Sequence, residues 1–341
     1  MRAAVYGGQA GPLRVQEAAE PAIGPDDVLV RVAACGVCTI EVGHVYLGLP
    51  TFKAPPVILG HEVSGTVAEV GERVNEVRVN DRVVLPLFFS CGTCSNCRAG
   101  RENVCTSMSV LGNHVDGGLA EYVRAPARDV FRLPPAIPLE EACVITDAVS
   151  TPYHAVKNRA RVRPGEVVAV FGCGGLGINA VQAASIAGGI VIAVDKQEAK
   201  LEVASGLGAF ATVSAAAGDE VVPRLRRLAG GGADVAIEVS GDAGAVQQAA
   251  QCLRPGGRLC LIGIPAAPVP LNLAAAVFAE IEVVTALACP SGEYPRIIAL
   301  VERGRFKLGP VVTARVGLGE VNAAIELASR SQGFKTIVIP S

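Results

Sequence analysis

The chain of 341 residues contains no tryptophan, two methionines and four histidines. It also lacks any run of basic residues, and 30 Lys and Arg against 32 Asp and Glu leave a formal net charge of −2. That balance offers no electropositive stripe for nucleic acid or an anionic membrane surface. No uninterrupted apolar run approaches the roughly 20 residues that span a bilayer. The opening Met1-Arg2-Ala3-Ala4-Val5-Tyr6-Gly7-Gly8 reads as a strand and a turn, not as a signal peptide. Internal repeats and low-complexity linkers are absent as well.

What is there is mostly core. Half of the residues are hydrophobic and 18% are charged, and the length predicts two domains. Six of the 11 cysteines fall in two local clusters, Cys35/Cys38 and Cys91 to Cys105. Such clustering predicts metal binding in a reducing, cytoplasmic setting and argues against a disulfide framework.

Residues 1–85 alternate in strand fashion between Gly, Pro and Asp turns, with Val28–Val32 and Val63–Val70 the clearest strands. An all-β domain is expected there. From about residue 148 the period changes. Apolar runs at Val167–Phe171, Ile190–Val194, Ala211–Val213, Val235–Val239, Arg258–Ile262 and Ile281–Ala286 alternate with helical stretches. That alternation predicts a doubly wound parallel sheet. The tail returns to short β-like runs ending in Thr336–Ile339 and is expected to rejoin the first domain.

The run Val167–Phe171 leads directly into Gly172-Cys173-Gly174-Gly175-Leu176-Gly177 and then into a helical stretch. In a G-x-G-x-x-G turn the glycines allow a tight bend, close approach to a pyrophosphate and close helix packing. The helix N-terminus presents N–H groups and positive dipole to the phosphates. The next apolar run ends in Asp195, 18 residues after Gly177, where a carboxylate can accept hydrogen bonds from the adenosine ribose. A dinucleotide site is expected.

Cys91, Cys94 and Cys97, with Cys105 eight positions on, can enclose one Zn²⁺ tetrahedrally and leave no open position. Cys38 and His61 form a more dispersed set. Cys35/Cys38 alone has the look of half a four-cysteine site, but no second pair completes it.

Gly60-His61-Glu62-x2-Gly65-x5-Gly71-x2-Val74 resembles the signature of the zinc-containing medium-chain alcohol dehydrogenases, and the cysteine lobe and glycine turn follow in that family's order. The resemblance implies a GroES-like β catalytic domain (residues 1–147 and 305–341, zinc lobe 88–106) and a Rossmann domain (148–304), an α/β fold overall. It also implies two Zn²⁺ per chain, with the catalytic ion in a cleft between the domains. Cys38 and His61 become catalytic ligands, and Asp147, ten residues before Lys157, stands at the third, where relatives carry Cys or Glu. Cys143 is its rival. Glu62 matches an acid beside the metal, and Glu41 an acid that orients the ligand histidine. Position 40 usually carries a hydroxyl that passes the proton outward. Here it is Ile40, so Thr39 or His44 is left to compensate.

The resemblance further places Thr151 at the nicotinamide, Lys200 at the adenosine end and Lys335 at the pyrophosphate. Asp195 followed by Lys196 implies NAD over NADP, because a carboxylate repels a 2′-phosphate. The implied reaction is hydride transfer between an alcohol and the nicotinamide, with zinc as Lewis acid. Leu87, Phe88, Phe89, Tyr46, Leu111 and Asn113 are candidate substrate-pocket positions, mostly apolar. Segments around Asp147 and Leu111 are similar to dehydrogenases of cyclic hydroxyacyl-CoA compounds, so a secondary or cyclic alcohol is expected. A polyol or amino-alcohol dehydrogenase is the nearest alternative. A zinc-free reductase would lack both metal clusters, and a zinc-ribbon binding module would not need Asp195. A homotetramer is expected, or else a dimer, built through strands near Ile281–Ala286.

Overall fold

The computed structural model describes residues 1–216 and 220–340. The chain forms two compact units: Met1–Asp147, Cys289–Gly304 and Leu308–Ser341 make the first, Ala148–Ala288 and Arg305–Lys307 the second.

Valine spacing builds the first unit. Val28, Val30 and Val32 alternate along the strand Asp27–Gly36 and bury their side chains with Val63, Val67, Val83 and Val123 from neighbouring strands. Asp27–Gly36 pairs antiparallel with Glu62–Val70, with Tyr122–Pro126 and with the tail strand Lys335–Ile339. In this register Gly36 faces Glu62, and Ile337 faces Gly36. Cys38 therefore emerges just past the end of one strand, His61 just before the start of the next, and Lys335 from the same end of the sheet.

The second unit is one six-stranded parallel sheet. Its order is Ala209–Ser214, Ile190–Asp195, Val167–Phe171, Ala233–Glu238, Leu253–Leu261, Glu282–Thr285. Chain order reverses at Val167–Phe171, the switch point at which ligands bind in open α/β sheets. The helix Gly177–Ile186 that follows is small-residue-rich and buried through most of its length. Among the described residues no helix is long and apolar enough to cross a membrane.

Two stretches depart from the sequence expectation, and one of them is short: Arg305–Lys307, expected in the first domain, group with the second unit. Residues 289–304 were expected in the nucleotide-binding domain, but they pack within the first unit. The reason is Tyr294, which is fully buried, stacks on Phe131 at 4.7 Å and donates its hydroxyl proton to the Thr146 carbonyl at 2.8 Å. An amphipathic helix carries no mark of which unit will cover its apolar face.

Asp129, on the 3-10 turn Ala127–Asp129, is buried, and its neighbour Arg128 donates to the Ser90 carbonyl at the root of the cysteine lobe. Burial pushes the Asp129 carboxyl up to about 6, against the pull of Arg128. Because the folded value lies above the unfolded one, its contribution to stability is complete below the unfolded value and lost as pH rises through about 6. Asp129→Asn should thus stabilise the protein at pH 8 by up to about 3 kcal/mol, with the gain vanishing near pH 4. Urea denaturation at the two pH values checks this, and a pH-independent difference would refute it.

Candidate functional site

Among the described residues, two groups of metal-ligating side chains stand in the first unit. In the lobe, the sulfurs of Cys91 and Cys97 are 3.9 Å apart, those of Cys94 and Cys97 3.5 Å, and those of Cys94 and Cys105 3.9 Å. A tetrahedron with Zn–S bonds of about 2.3 Å has edges of about 3.8 Å. These separations fit such an ion and are far longer than a disulfide bond. Backbone N–H groups also converge on the sulfurs: Thr93 and Cys94 donate to Cys91 (3.4 and 3.3 Å), Cys97 to Cys94 (3.5 Å), and Cys91 and Ser107 to Cys105 (3.4 and 3.3 Å). Those donors hold the Cys91 and Cys94 thiols below their ordinary range, whereas burial raises Cys97. Thiolate is the form that binds metal.

The second group comprises Cys38, His61, Glu62 and Asp147, all buried, with one ligand atom from each lying within 4.8 Å of the others. Cys38 caps the helix Thr39–Leu47, and its N–H is accepted by the Glu41 carboxylate at 2.9 Å. The other oxygen of Glu41 takes His61 Nδ1 at 2.8 Å. That contact places the ring proton on Nδ1 and leaves the Nε2 lone pair for the cluster. Nε2 is buried without a hydrogen-bond partner, 3.8 Å from Asp147 Oδ2, which in turn stands 3.7 Å from Cys38 Sγ. Burial disfavours a proton on His61, yet Glu41, Asp147 and Cys38 together outweigh it and raise its affinity for one. The pocket is built for positive charge. A thiol, an imidazole nitrogen and a carboxylate around an orphaned lone pair suit Zn²⁺.

Asp147, and not Cys143, stands in this group. Cys143 lies on the turn Glu141–Ile145, fully buried, and burial raises its thiol well above the ordinary range. Cys35 is likewise a buried thiol apart from the cluster, raised first by burial. Thr39 is exposed, with its hydroxyl 3.8 Å from Cys38 Sγ. His44, by contrast, is buried: Nδ1 meets the Leu49 carbonyl at 2.7 Å and Nε2 meets Asn113 at 3.4 Å.

Lys335, expected at a pyrophosphate, is buried, with Nζ donating to the Val37 carbonyl at 3.3 Å and paired with Glu62. Burial alone would lower the Lys335 ammonium, but Glu62, Cys38 and Asp147 reverse that and keep it charged. Burial pushes the Glu62 carboxyl up, with Lys335 pulling it back. Sequence reasoning missed this pair because the partners are 273 residues apart and meet only through the tail strand.

In the second unit the glycine turn divides its tasks as the motif requires. Gly172 sits at φ +89°, and a Cβ on Gly177 would fall 1.7 Å from the Gly172 carbonyl oxygen. A Cβ on Gly174 would meet nothing within 4 Å, so packing within the chain does not require glycine there. Gly175 and Leu176 complete the turn ahead of the helix. Asp195 accepts the Cys173 N–H at 2.7 Å and the Gln197 N–H at 2.9 Å, which fixes its carboxylate beside the turn. Lys200 is buried on the helix Glu198–Gly206, and Thr151 is buried on the helix Ser150–His154. Lys196, expected to be available to the cofactor, pairs with Asp242 at 3.2 Å.

Two family models match the chain, one in each half. Residues 24–135 match the alcohol dehydrogenase GroES-like domain and residues 175–303 the zinc-binding dehydrogenase domain. The chain is 36% identical to an alcohol dehydrogenase of Geobacillus stearothermophilus over 90% of both chains. It is 33% identical to an L-threonine 3-dehydrogenase of Symbiobacterium thermophilum, covering 97% of this chain and 96% of the relative. A zinc-binding dehydrogenase of Sinorhizobium meliloti 1021, described as bound to NADP, superposes with a TM-score of 0.91 at 31% identity over 99% of both chains. With a GroES-like β unit, a doubly wound parallel sheet and both metal-ligating groups in one chain, the protein belongs to the zinc-containing medium-chain dehydrogenase/reductase family of oxidoreductases.

Proposed function

We propose that the chain is an NAD-linked zinc alcohol dehydrogenase acting reversibly on a secondary or cyclic alcohol. Cys38, His61 and Asp147 would hold one zinc, and Cys91, Cys94, Cys97 and Cys105 a second. The observation that carries this reading is the orphaned His61 Nε2 facing a thiol and a carboxylate in a buried pocket. When bound there, zinc supplies Lewis-acid activation of an alcohol oxygen, and the nicotinamide supplies a hydride acceptor.

The chain's own residues do the rest. Glu41 fixes the tautomer and orientation of His61. Lys335 offsets the charge of Glu62, so that the buried cluster does not carry an uncompensated extra anion. Thr39 is the hydroxyl that can hand a proton towards solvent: it is exposed and beside Cys38, Ile40 carries no proton, and both nitrogens of His44 are engaged. Leu87, Phe88, Phe89 and Leu111 are buried apolar side chains, suited to an apolar substrate, while Tyr46 is exposed. A homotetramer, or a dimer, would use the edge strand Glu282–Thr285, where Val283 is exposed, and the helix Leu273–Phe278, where Leu273, Val277 and Phe278 are exposed.

An NAD⁺-reduction screen over linear, cyclic and polyhydroxylated alcohols and L-threonine, with zinc measured on the same preparation, tests the reading. Preference for L-threonine would favour the amino-alcohol alternative, which the Symbiobacterium relative supports.

Cofactor choice rests on Asp195, since one solved relative carries NADP. Asp195→Gly with Lys196→Arg should move preference towards NADP⁺ by about tenfold or more, by removing a repulsive carboxylate and adding a phosphate-binding fork. Steady-state kcat/KM for both cofactors checks it. An NADP⁺-preferring parent would refute the assignment.

A further inference from the structure

Strands Ile190–Asp195 and Ala233–Glu238 flank Val167–Phe171, with Phe171 in register with Val194 on one side and Glu238 on the other. The loops that leave them therefore bracket the glycine turn. The Val239 N–H donates to the Phe171 carbonyl at 3.0 Å, and a Cβ built on Gly172 would lie 3.0 Å from Ser240 Cβ.

Glu238 is fully buried and holds this second loop. Its Oε1 accepts the Ser240 N–H at 2.7 Å, the Gly241 N–H at 3.0 Å and the Ser240 hydroxyl. The Ser240 hydroxyl oxygen accepts the Asp242 N–H at 3.1 Å. Asp242 then divides its carboxylate: Oδ1 caps the helix Ala243–Gln251 by accepting the Ala245 N–H at 2.9 Å, and Oδ2 meets Lys196 Nζ at 3.2 Å. The Ala245 N–H, then Lys196, hold the Asp242 carboxyl below its usual range. A chain of contacts thus runs from the core of the sheet to the lysine next to Asp195.

We propose that Asp242 is a second determinant of cofactor choice, holding Lys196 so that this cation does not neutralise a 2′-phosphate. The proposal rests on the reading that the glycine turn and Asp195 hold the adenosine half of a dinucleotide. A 2′-phosphate brings about two negative charges. Asp195 repels it, and Lys196 is the cation next to Asp195 in sequence. With Asp242 in place, that cation is already balanced, and the phosphate meets two carboxylates. The Lys196–Asp242 pair is exposed, so its effect is modest and screened by salt.

The test is equilibrium binding of NAD⁺ and NADP⁺ to the zinc-loaded protein in three forms: parent, Asp242→Asn and Asp242→Asn with Lys196→Ala. Asparagine still caps a helix, so the fold is kept. Asp242→Asn is expected to tighten NADP⁺ roughly fivefold at low salt and to change NAD⁺ by less than about twofold. The gain should shrink at high salt and vanish in the double variant. Equal changes for both cofactors, or a gain that survives Lys196→Ala, would overturn the proposal. A parent that binds NADP⁺ more tightly than NAD⁺ overturns the Asp195 reading instead, because the Asp242 proposal is judged on the ratio between variants.

Discussion

Asp147→Ala is expected to empty the catalytic site, taking zinc from about two to about one per chain and turnover down by roughly 10³-fold or more, a loss of about 4 kcal/mol of transition-state stabilisation. The expectation follows from the cluster itself. Asp147 Oδ2 is 3.7 Å from Cys38 Sγ and 3.8 Å from His61 Nε2, so its removal leaves Cys38 and His61, with Glu62 committed to Lys335, where a catalytic zinc takes three ligands from the protein. Asp147→Cys should keep both metals. A thiolate donates more charge to zinc than a carboxylate, so the alkaline rise of kcat should move to higher pH. Cys143→Ala should leave metal content unchanged, since that thiol lies in the core outside the ligand group. Metal analysis and pH profiles of the three variants decide the matter. If Cys143→Ala loses a zinc and Asp147→Ala keeps it, the ligand assignment fails.

Features governed by local chemistry were legible in the sequence. The buried strands of the parallel sheet announced themselves as β-branched runs, because both faces of such a sheet are covered. The cysteine spacing brought four sulfurs together within 15 residues of chain, and Gly172 and Gly177 were required by backbone sterics. Asp147 was reached through family likeness and not through a local pattern, since nothing in its neighbours marks a ligand. What stayed hidden depends on contacts between distant segments. His44 reads as a candidate relay, and its engagement by the Leu49 carbonyl and Asn113 was not visible in the sequence. Lys335 reads as a cofactor contact, and its pairing with Glu62 through the tail strand was not visible in the sequence. Lys196 reads as available until the loop held by Glu238 delivers Asp242 to it. In each case a titratable side chain has a partner that no sequence period encodes.

Cys97→Ser is expected to unfold the cysteine lobe while sparing the catalytic cluster. Between residues 91 and 105 the buried side chains are Cys97, Asn103 and Cys105, so the lobe has no apolar core of its own. Its ties include backbone turns, the N–H donors to sulfur, and Asn96 Nδ2 donating to the Val104 carbonyl at 2.6 Å. In small zinc peptides the metal contributes on the order of 10 kcal/mol to folding, far more than those hydrogen bonds provide. Serine is a poor zinc ligand and leaves a hydroxyl among three thiols that no longer share a cation. The variant should lose one zinc per chain, become sensitive to protease after Arg98 or Arg101, and fall in Tm. Freshly prepared, still-folded variant should keep its second zinc and most of its kcat, since Cys38, His61 and Asp147 belong to a separate group. Limited proteolysis, zinc content and kcat measured on one preparation test all three parts. Intact lobe and stability with turnover lost would mean that these four cysteines serve the chemistry and not the fold.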